Sequence, residues 1–539
     1  MKTLKKTLAV LLALILAFSA FGAVSFAADD AAQTPAYTTQ ETVTHAFYRL
    51  LDKLVFALGR LLNLLIPGLN WTGKIQSADS YKSENFYPGK QTFDTAPAEG
   101  AGWKMGFAEG SFLDGIDATG GEYNLAGTLE AMEGRAPTEV LDDQGCRAYA
   151  LSDGETTVVY AAIDGFGFAR GDGLEIRDRL ADFAKENGID SINVSALHQH
   201  SCIDTLGLAT PLVPAVLENP ALSLFASDKL LSGRNKTFME SVYGTVVAAI
   251  KDAFNSMKDG TLYYGCVDIA DYLKDKREPN VLDADFQRLR FIPADGSDEI
   301  WVCETGMHPV SLGAGPDKLT SDFPYYLKSY VKEQTGADLV FIQGAELAIS
   351  SRTETMNIAP GADDAEKLAG MGKALGDRLI SIADEEELAP LLNVAHREVF
   401  LDVENPVHML AGREGLLGST IVKKGLGYQA VTEIGYMELG GKLGILLTPG
   451  EIEPAILWGG AADANISWTG DTWDYAPLAE TAGVEKLICF GLCNDQIGYI
   501  LTDNDVRSIF TQNEEINVLN FSDGSILTEA YEALFAAVK

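Results

Sequence analysis

Apolar and polar positions along this chain change period several times, and each change predicts an element. Val43, Phe47, Leu50, Leu51, Leu54, Leu58, Leu61, Leu62 and Leu65 recur at helical spacing until Pro67-Gly68 interrupts them, which predicts one amphipathic helix over 43–66. The stripe fits a helix packed on its own domain or on a partner subunit, the commoner case, or one making peripheral contact with a membrane. Residues 72–101 lose this period and are rich in Ser, Gly, Pro and Lys, so they read as an irregular connection. From Gly102 onward, runs such as Thr157–Ile163 read as strands and alternate with helical stretches such as 174–186. That alternation predicts an α/β fold with a mixed β-sheet core. Further strand-like runs cover Ser191–Ala196, 301–305 and 444–447.

The first 27 residues depart from all of this. Lys2, Lys5 and Lys6 precede an apolar run that ends in the small-residue stop Ser25-Phe26-Ala27. This is the build of a secretory signal peptide, so the mature chain is expected to begin at Ala28 and to work outside the cytoplasm. The expected organisation is a signal peptide over 1–27, a linker and the amphipathic helix over 28–101, and one catalytic domain over 102–539.

The formal charge of −36 argues against nucleic acid as a partner and against simple electrostatic docking on anionic lipid, because cations able to neutralise phosphates are outnumbered. The six cysteines sit mostly inside apolar runs and show no paired CxxC spacing, so buried free thiols are expected rather than disulfides or a cysteine zinc site.

The chemistry lies where strands end. Ser191–Ala196 runs straight into His198-Gln199-His200, with Asp204 close behind. In an extended chain, residues two apart share a side, so both imidazoles can converge on one point. Alone, such a pair is either half of a metal site or two polar loop residues. His308 ends a second apolar run, 301–309, and strand ends are where α/β folds place their sites. One further acid would complete the open three-ligand set of a catalytic zinc. Glu451 follows the run 444–447 after Thr448-Pro449-Gly450. Periodicity alone equally allows an ordinary turn carboxylate there.

Four segments in this order resemble the neutral/alkaline (non-lysosomal) ceramidase family. They are His198-Gln199-His200-Ser201, Met307-His308-Pro309-Val310-Ser311-Leu312-Gly313 with Ser321-Asp322-Phe323-Pro324, then Thr448-Pro449-Gly450-Glu451, and Asn494-Asp495-Gln496-Ile497-Gly498-Tyr499. The resemblance implies one Zn2+ per chain, held by His198, His308, Glu451 and Tyr499, with His200 beside it exchanging protons. It also implies hydrolysis of the amide that joins a fatty acid to a sphingoid base, by a zinc-activated water. Arg277 matches an Arg-x-Pro element of the family and would hydrogen-bond substrate or the developing oxyanion. A surface arginine is the other reading. Ser350 takes the position of a serine implicated in catalysis.

Two departures from the family stand out. The Gly-Asp pair before that serine is Leu347-Ala348 here, and the proline after it is Ser351. The chain also ends about 40 residues after Tyr499, too short for the C-terminal immunoglobulin-like domain of roughly 100 residues that many ceramidases carry. The expectation is therefore a zinc amidohydrolase acting on ceramide or another N-acyl lipid. Its alternatives are a lipid- or glycan-binding protein on the same scaffold and a zinc hydrolase of another amide or ester.

Overall fold

The computed structural model describes residues 36–65, 75–127, 134–209, 234–313, 315, 317–406, 408–409, 418–511 and 517–539. The expected signal peptide lies outside the described residues.

Two mixed sheets form the body. The larger has nine strands, among them β1 (Trp103–Ser111), β2 (Gly145–Ser152), β3 (Thr157–Ile163), β4 (Ser191–Ala196), β5 (Lys258–Asp268), β6 (Asp285–Pro293), β7 (Ile300–Thr305) and β8 (Asp338–Gln343). Their order is β8-β7-β6-β5-β1-β2-β3-β4. The six-stranded second sheet is built on β9 (Leu392–Asp402), β10 (Thr420–Lys424), β11 (Gly427–Leu439), β12 (Leu443–Leu447) and β13 (Lys486–Phe490). The runs read as strands at Thr157–Ile163 and Ser191–Ala196 form with those bounds.

Both strands are buried on their two faces because both faces are covered; β3 is apolar on both, whereas β4 alternates, and its Ser191, Asn193 and Ser195 hydrogen-bond His396, Asn494 and Tyr160. Following α1 (Thr39–Leu65) in the chain, α2 (Arg170–Asn187) and α3 (Lys236–Asn255) cover one side, where Ile176, Leu180, Val242 and Val246 pack on Val159, Ala161 and Val194. Helix α2 ends where Gly188 turns left-handed at φ 64°. On the other side Tyr149 and Tyr160 join Met437, Ile445 and Phe490 of the second sheet in one core. That core also takes in α4 (Asp322–Thr335) and α5 (Asp364–Ile380). The far face of the second sheet receives Tyr531, Leu534 and Phe535 of α6 (Asp523–Val538). Each such side chain contributes about 1.5–3 kcal/mol of burial.

Most strand pairs are antiparallel, but β3/β4, β7/β8 and β12/β13 are parallel. The carboxyl ends of β4, β8 and β12 are sewn together by one loop. Asn494 N donates to Val194 O at 2.7 Å, Gly491 N to Gln343 O at 2.7 Å, and Cys493 N to Thr448 O at 2.8 Å. This loop brings the ends of strands from both sheets to one place.

The stretch 75–101 is largely irregular, as expected, yet laid against the second sheet: Gln76–Ser77 pairs with β10, and Phe93 stacks on Tyr436 at 5.6 Å. Helix α1 forms where its period predicts and packs on its own domain, but through a face other than the predicted stripe. Phe47, Leu50 and Leu54 point outward, while Val55 and Phe56 on another face are buried. Cys146, Cys202, Cys303, Cys489 and Cys493 are buried free thiols, and Cys266 is a free thiol at the surface.

Candidate metal centre

Four side chains from four strand ends meet. His198 lies two residues past β4, His308 and Glu346 three past β7 and β8, and Glu451 four past β12. Ligand atoms of His198, His308, Glu346 and Glu451 all lie within 4.8 Å of one another, as do those of His198, His200 and His308. His198 Nε2 is 3.3 Å from Glu451 Oε1, and His308 Nδ1 is 3.6 Å from Glu346 Oε2. His200 Nε2 and His308 Nε2 are 3.2 Å apart.

The two histidines of the His-x-His pair do not converge in the way an extended chain would bring them together. His198 has φ 60°, a left-handed conformation unusual for a residue with a side chain, and the strand ends before it at Ala196. The turn, rather than strand alternation, sets their ring centres 5.0 Å apart. Backbone contacts hold the turn: Gln199 N donates to Gly165 O at 3.2 Å. Gln199 does point away from the centre, donating from Nε2 to Asp164 Oδ1 at 2.8 Å. Asp204 is a loop cap, accepting from the backbone N–H of Leu206, Gly207 and Ala209.

Hydrogen bonding fixes the tautomer of His198. Its Nδ1 is 2.8 Å from Phe166 O, a carbonyl that can only accept, so Nδ1 carries the proton and Nε2 presents its lone pair to Glu451 and His308. Burial holds His198 and His308 well below the usual imidazole range and lowers His200 to about 4, so all three are neutral at neutral pH. Burial, and then the charge of Glu451, push Glu346 well above the carboxylate range.

Tyr499 stands beside this cluster, because the short parallel pair Glu451–Ile452 and Tyr499–Ile500 aligns Glu451 directly with Tyr499. Arg277 is no surface arginine: it is buried and donates from Nη2 to Asp505 Oδ2 at 3.0 Å, with Glu453 at 3.9 Å. Ser350 sits in Ile349–Ser351, where its Oγ donates to Lys274 O at 3.3 Å. Among the described residues it makes no hydrogen bond to the histidines, although its neighbour Ile349 accepts from His308 N at 3.1 Å.

Glu346 is the residue that the sequence reading passed over. It follows the buried run 338–343 as His308 follows β7, so the strand-end rule applied to Glu451 points to it as well.

The donor set fits a divalent cation. Glu346 is fully buried, neither of its carboxylate oxygens has a hydrogen-bond partner of good geometry, and its only ion-pair partner among the described residues is a histidine that burial keeps neutral. A buried carboxylate without a cation is costly, and imidazole nitrogens beside carboxylate oxygens are the donors that first-row divalent metals take.

No family model matches this chain, and no curated protein does. Solved structures do. The fold is similar to that of the neutral ceramidase from Pseudomonas aeruginosa, with a TM-score of 0.58 at 15% identity, covering 81% of this chain and 74% of that one. It is also similar to a structure described as ceramidase complexed with C2, with a TM-score of 0.56 at 14% identity, over 81% and 75% of the two chains. The chain thus has a neutral ceramidase-like fold.

Proposed function

We propose that this protein is an exported, metal-dependent hydrolase of acyl amides, with ceramide or a related N-acyl lipid as substrate and Zn2+ as the metal. The observation that carries this reading is the convergence of His198, His308, Glu346 and Glu451 at strand ends, without an internal cation for Glu346. The likeness in fold to ceramidases supports the substrate class.

In this reading His198, His308 and Glu451 hold the metal, and Tyr499, aligned with Glu451, approaches from the neighbouring strand. A bound divalent ion polarises an amide carbonyl and makes water a nucleophile at neutral pH. His198 is kept in the ligating tautomer by Phe166 O, and so needs no reorganisation on loading. His200, neutral and beside His308, can take a proton from water and return it to the leaving amine. Glu451 and Glu346 are two carboxylates in one buried site, where burial and the charge of Glu451 raise Glu346 well above its ordinary range and a bound cation would offset both charges.

A specific observation favours a second reading. The Ser350 hydroxyl donates to Lys274 O and, among the described residues, makes no hydrogen bond to the histidines, so this geometry gives a serine-assisted step on a ceramide amide no support. That suits a different acyl bond, or binding of a lipid or glycan without turnover. Turnover of N-acyl sphingoid bases, N-acyl amino acids and acyl esters, with and without chelator, decides between them. Chelator-sensitive release of fatty acid from the sphingoid amides is the expected result. Metal binding without turnover of any of the three would overturn the hydrolase reading.

A further inference from the structure

Helix α1 is held to the body along one face and uncovered along another. Phe56 stacks on Phe521 at 4.7 Å and His45 on Trp468 at 3.8 Å. Arg49 Nη1 donates to Thr469 O at 2.6 Å, and Ser508 Oγ donates to the buried Asp52 at 2.9 Å. These contacts are spread over three turns, so the helix presents its outer face as a fixed surface.

That outer face is apolar. Val43, Phe47, Leu50, Leu54 and Leu61 are 48–65% exposed, and their spacing sets them in one stripe along the helix. Of the seven large hydrophobic side chains exposed among the described residues, these are five, so exposed apolar surface is concentrated here rather than scattered. The charged side chains exposed beside the stripe are Lys53 and Arg60, of which Arg60 is paired with Glu404 at 2.7 Å. Asp52, the acid within the same span, is buried on the inner face. In a chain with 77 acidic and 41 basic residues, a solvent face with cations alone over 43–61 runs against the composition.

We propose that α1 docks the protein on a phospholipid surface, with the stripe at the acyl boundary and Lys53 at head-group phosphates. Apolar anchors flanked by cations are the complement of that boundary. Among the described residues no helix is long and apolar enough to cross a membrane, so α1 lies on the surface. A second copy is a poorer occupant. Pairing two stripes would bring two bodies of net charge −36 together, and no acid of the helix is exposed along the stripe to meet Lys53 of a second copy. The proposal goes beyond the hydrolase reading and is tested without turnover.

The test is co-sedimentation of the full chain with phosphatidylcholine vesicles, beside a Phe47→Ser/Leu50→Ser/Leu54→Ser triple variant. Both proteins carry the same N-terminal residues, so their difference reads the stripe. The expected result is vesicle binding by the parent and at least tenfold weaker binding by the triple variant, with both monomeric by light scattering and melting together. Equal binding by the two, or none by either, overturns the proposal. So does a parent dimer in the absence of lipid that the triple variant dissolves, which would assign the face to a second copy. Lys53→Glu is a milder check, expected to weaken binding severalfold on vesicles containing phosphatidylglycerol; unchanged binding there removes the role given to Lys53.

Discussion

Two buried clusters of histidine and glutamate lie in this fold, and they neutralise their carboxylates in opposite ways. At Glu433, Arg177 donates from both terminal nitrogens at 2.8 Å, Arg170 adds a contact at 3.2 Å, and His396 Nδ1 lies 3.1 Å away. Burial alone would raise this carboxyl, but the charge and hydrogen bonds of Arg177, with those of His396, hold it well below the usual range. At Glu346 the neighbours are His308 and Glu451, and the carboxyl is pushed well above it. Histidine beside glutamate is common to both clusters, so that pairing does not mark a metal site. Arginine makes the difference: a cluster with its own cation is a finished ion pair, and one without it is a receptor for a cation.

The comparison breaks first at Arg177. Arg177→Met leaves Glu433 buried with half its partners gone and is expected to cost about 3–5 kcal/mol, read as a fall in melting temperature that added zinc does not restore. Recovery by zinc would mean the two clusters are not distinct. His308→Ala should lower metal affinity by more than about 100-fold, measured by competition with a chelating dye, while the apo protein melts nearly as before. Retained metal at full affinity would misplace the centre.

Glu346→Gln sharpens the contrast, because its effect should change sign with loading. Without metal it removes an unpaired buried acid and should stabilise by about 1 kcal/mol at alkaline pH; with metal it should weaken binding about 10–100-fold. A destabilised apo variant with unchanged metal affinity would assign Glu346 to packing alone.

The two clusters also predict opposite pH slopes. Glu433, depressed in the fold, contributes stability above the ordinary carboxylate range that is lost as pH falls through its folded value. Glu346, raised in the fold, leaves the metal-free protein more stable at low pH and costs stability as pH rises through its folded value. Metal-free melting followed from acid to alkaline pH should therefore pass through a maximum, and saturating zinc should remove the alkaline decline. The smallest effect belongs to Ser350→Ala, expected to change turnover less than about tenfold because its hydroxyl is engaged with Lys274 O. Complete loss of turnover with metal retained would return the serine to the reaction.

Much of this was legible in the sequence, for reasons that also explain the gaps. Strand β3 was readable as an apolar run and β4 from its alternation of apolar and polar residues, and His198, His308 and Glu451 because each closely follows a strand-like run. The same rule reaches Glu346. Its signal is masked in the sequence because it lies directly before Leu347-Ala348, where the segment 344–352 departs most from the family pattern. The turn at His198 was not legible, since a positive φ held by contacts with Gly165 and Phe166 depends on tertiary neighbours. Nor was the direction of the α1 stripe: a period of 3.6 identifies a face without saying what it faces.

The central claim is that the centre at His198, His308, Glu346 and Glu451 is a receptor for a metal ion. Elemental analysis of the purified protein beside His198→Ala tests it most directly. The account predicts about one zinc per chain in the parent and loss of that zinc in a variant that still folds. A folded parent that takes up no divalent metal after reconstitution would contradict it.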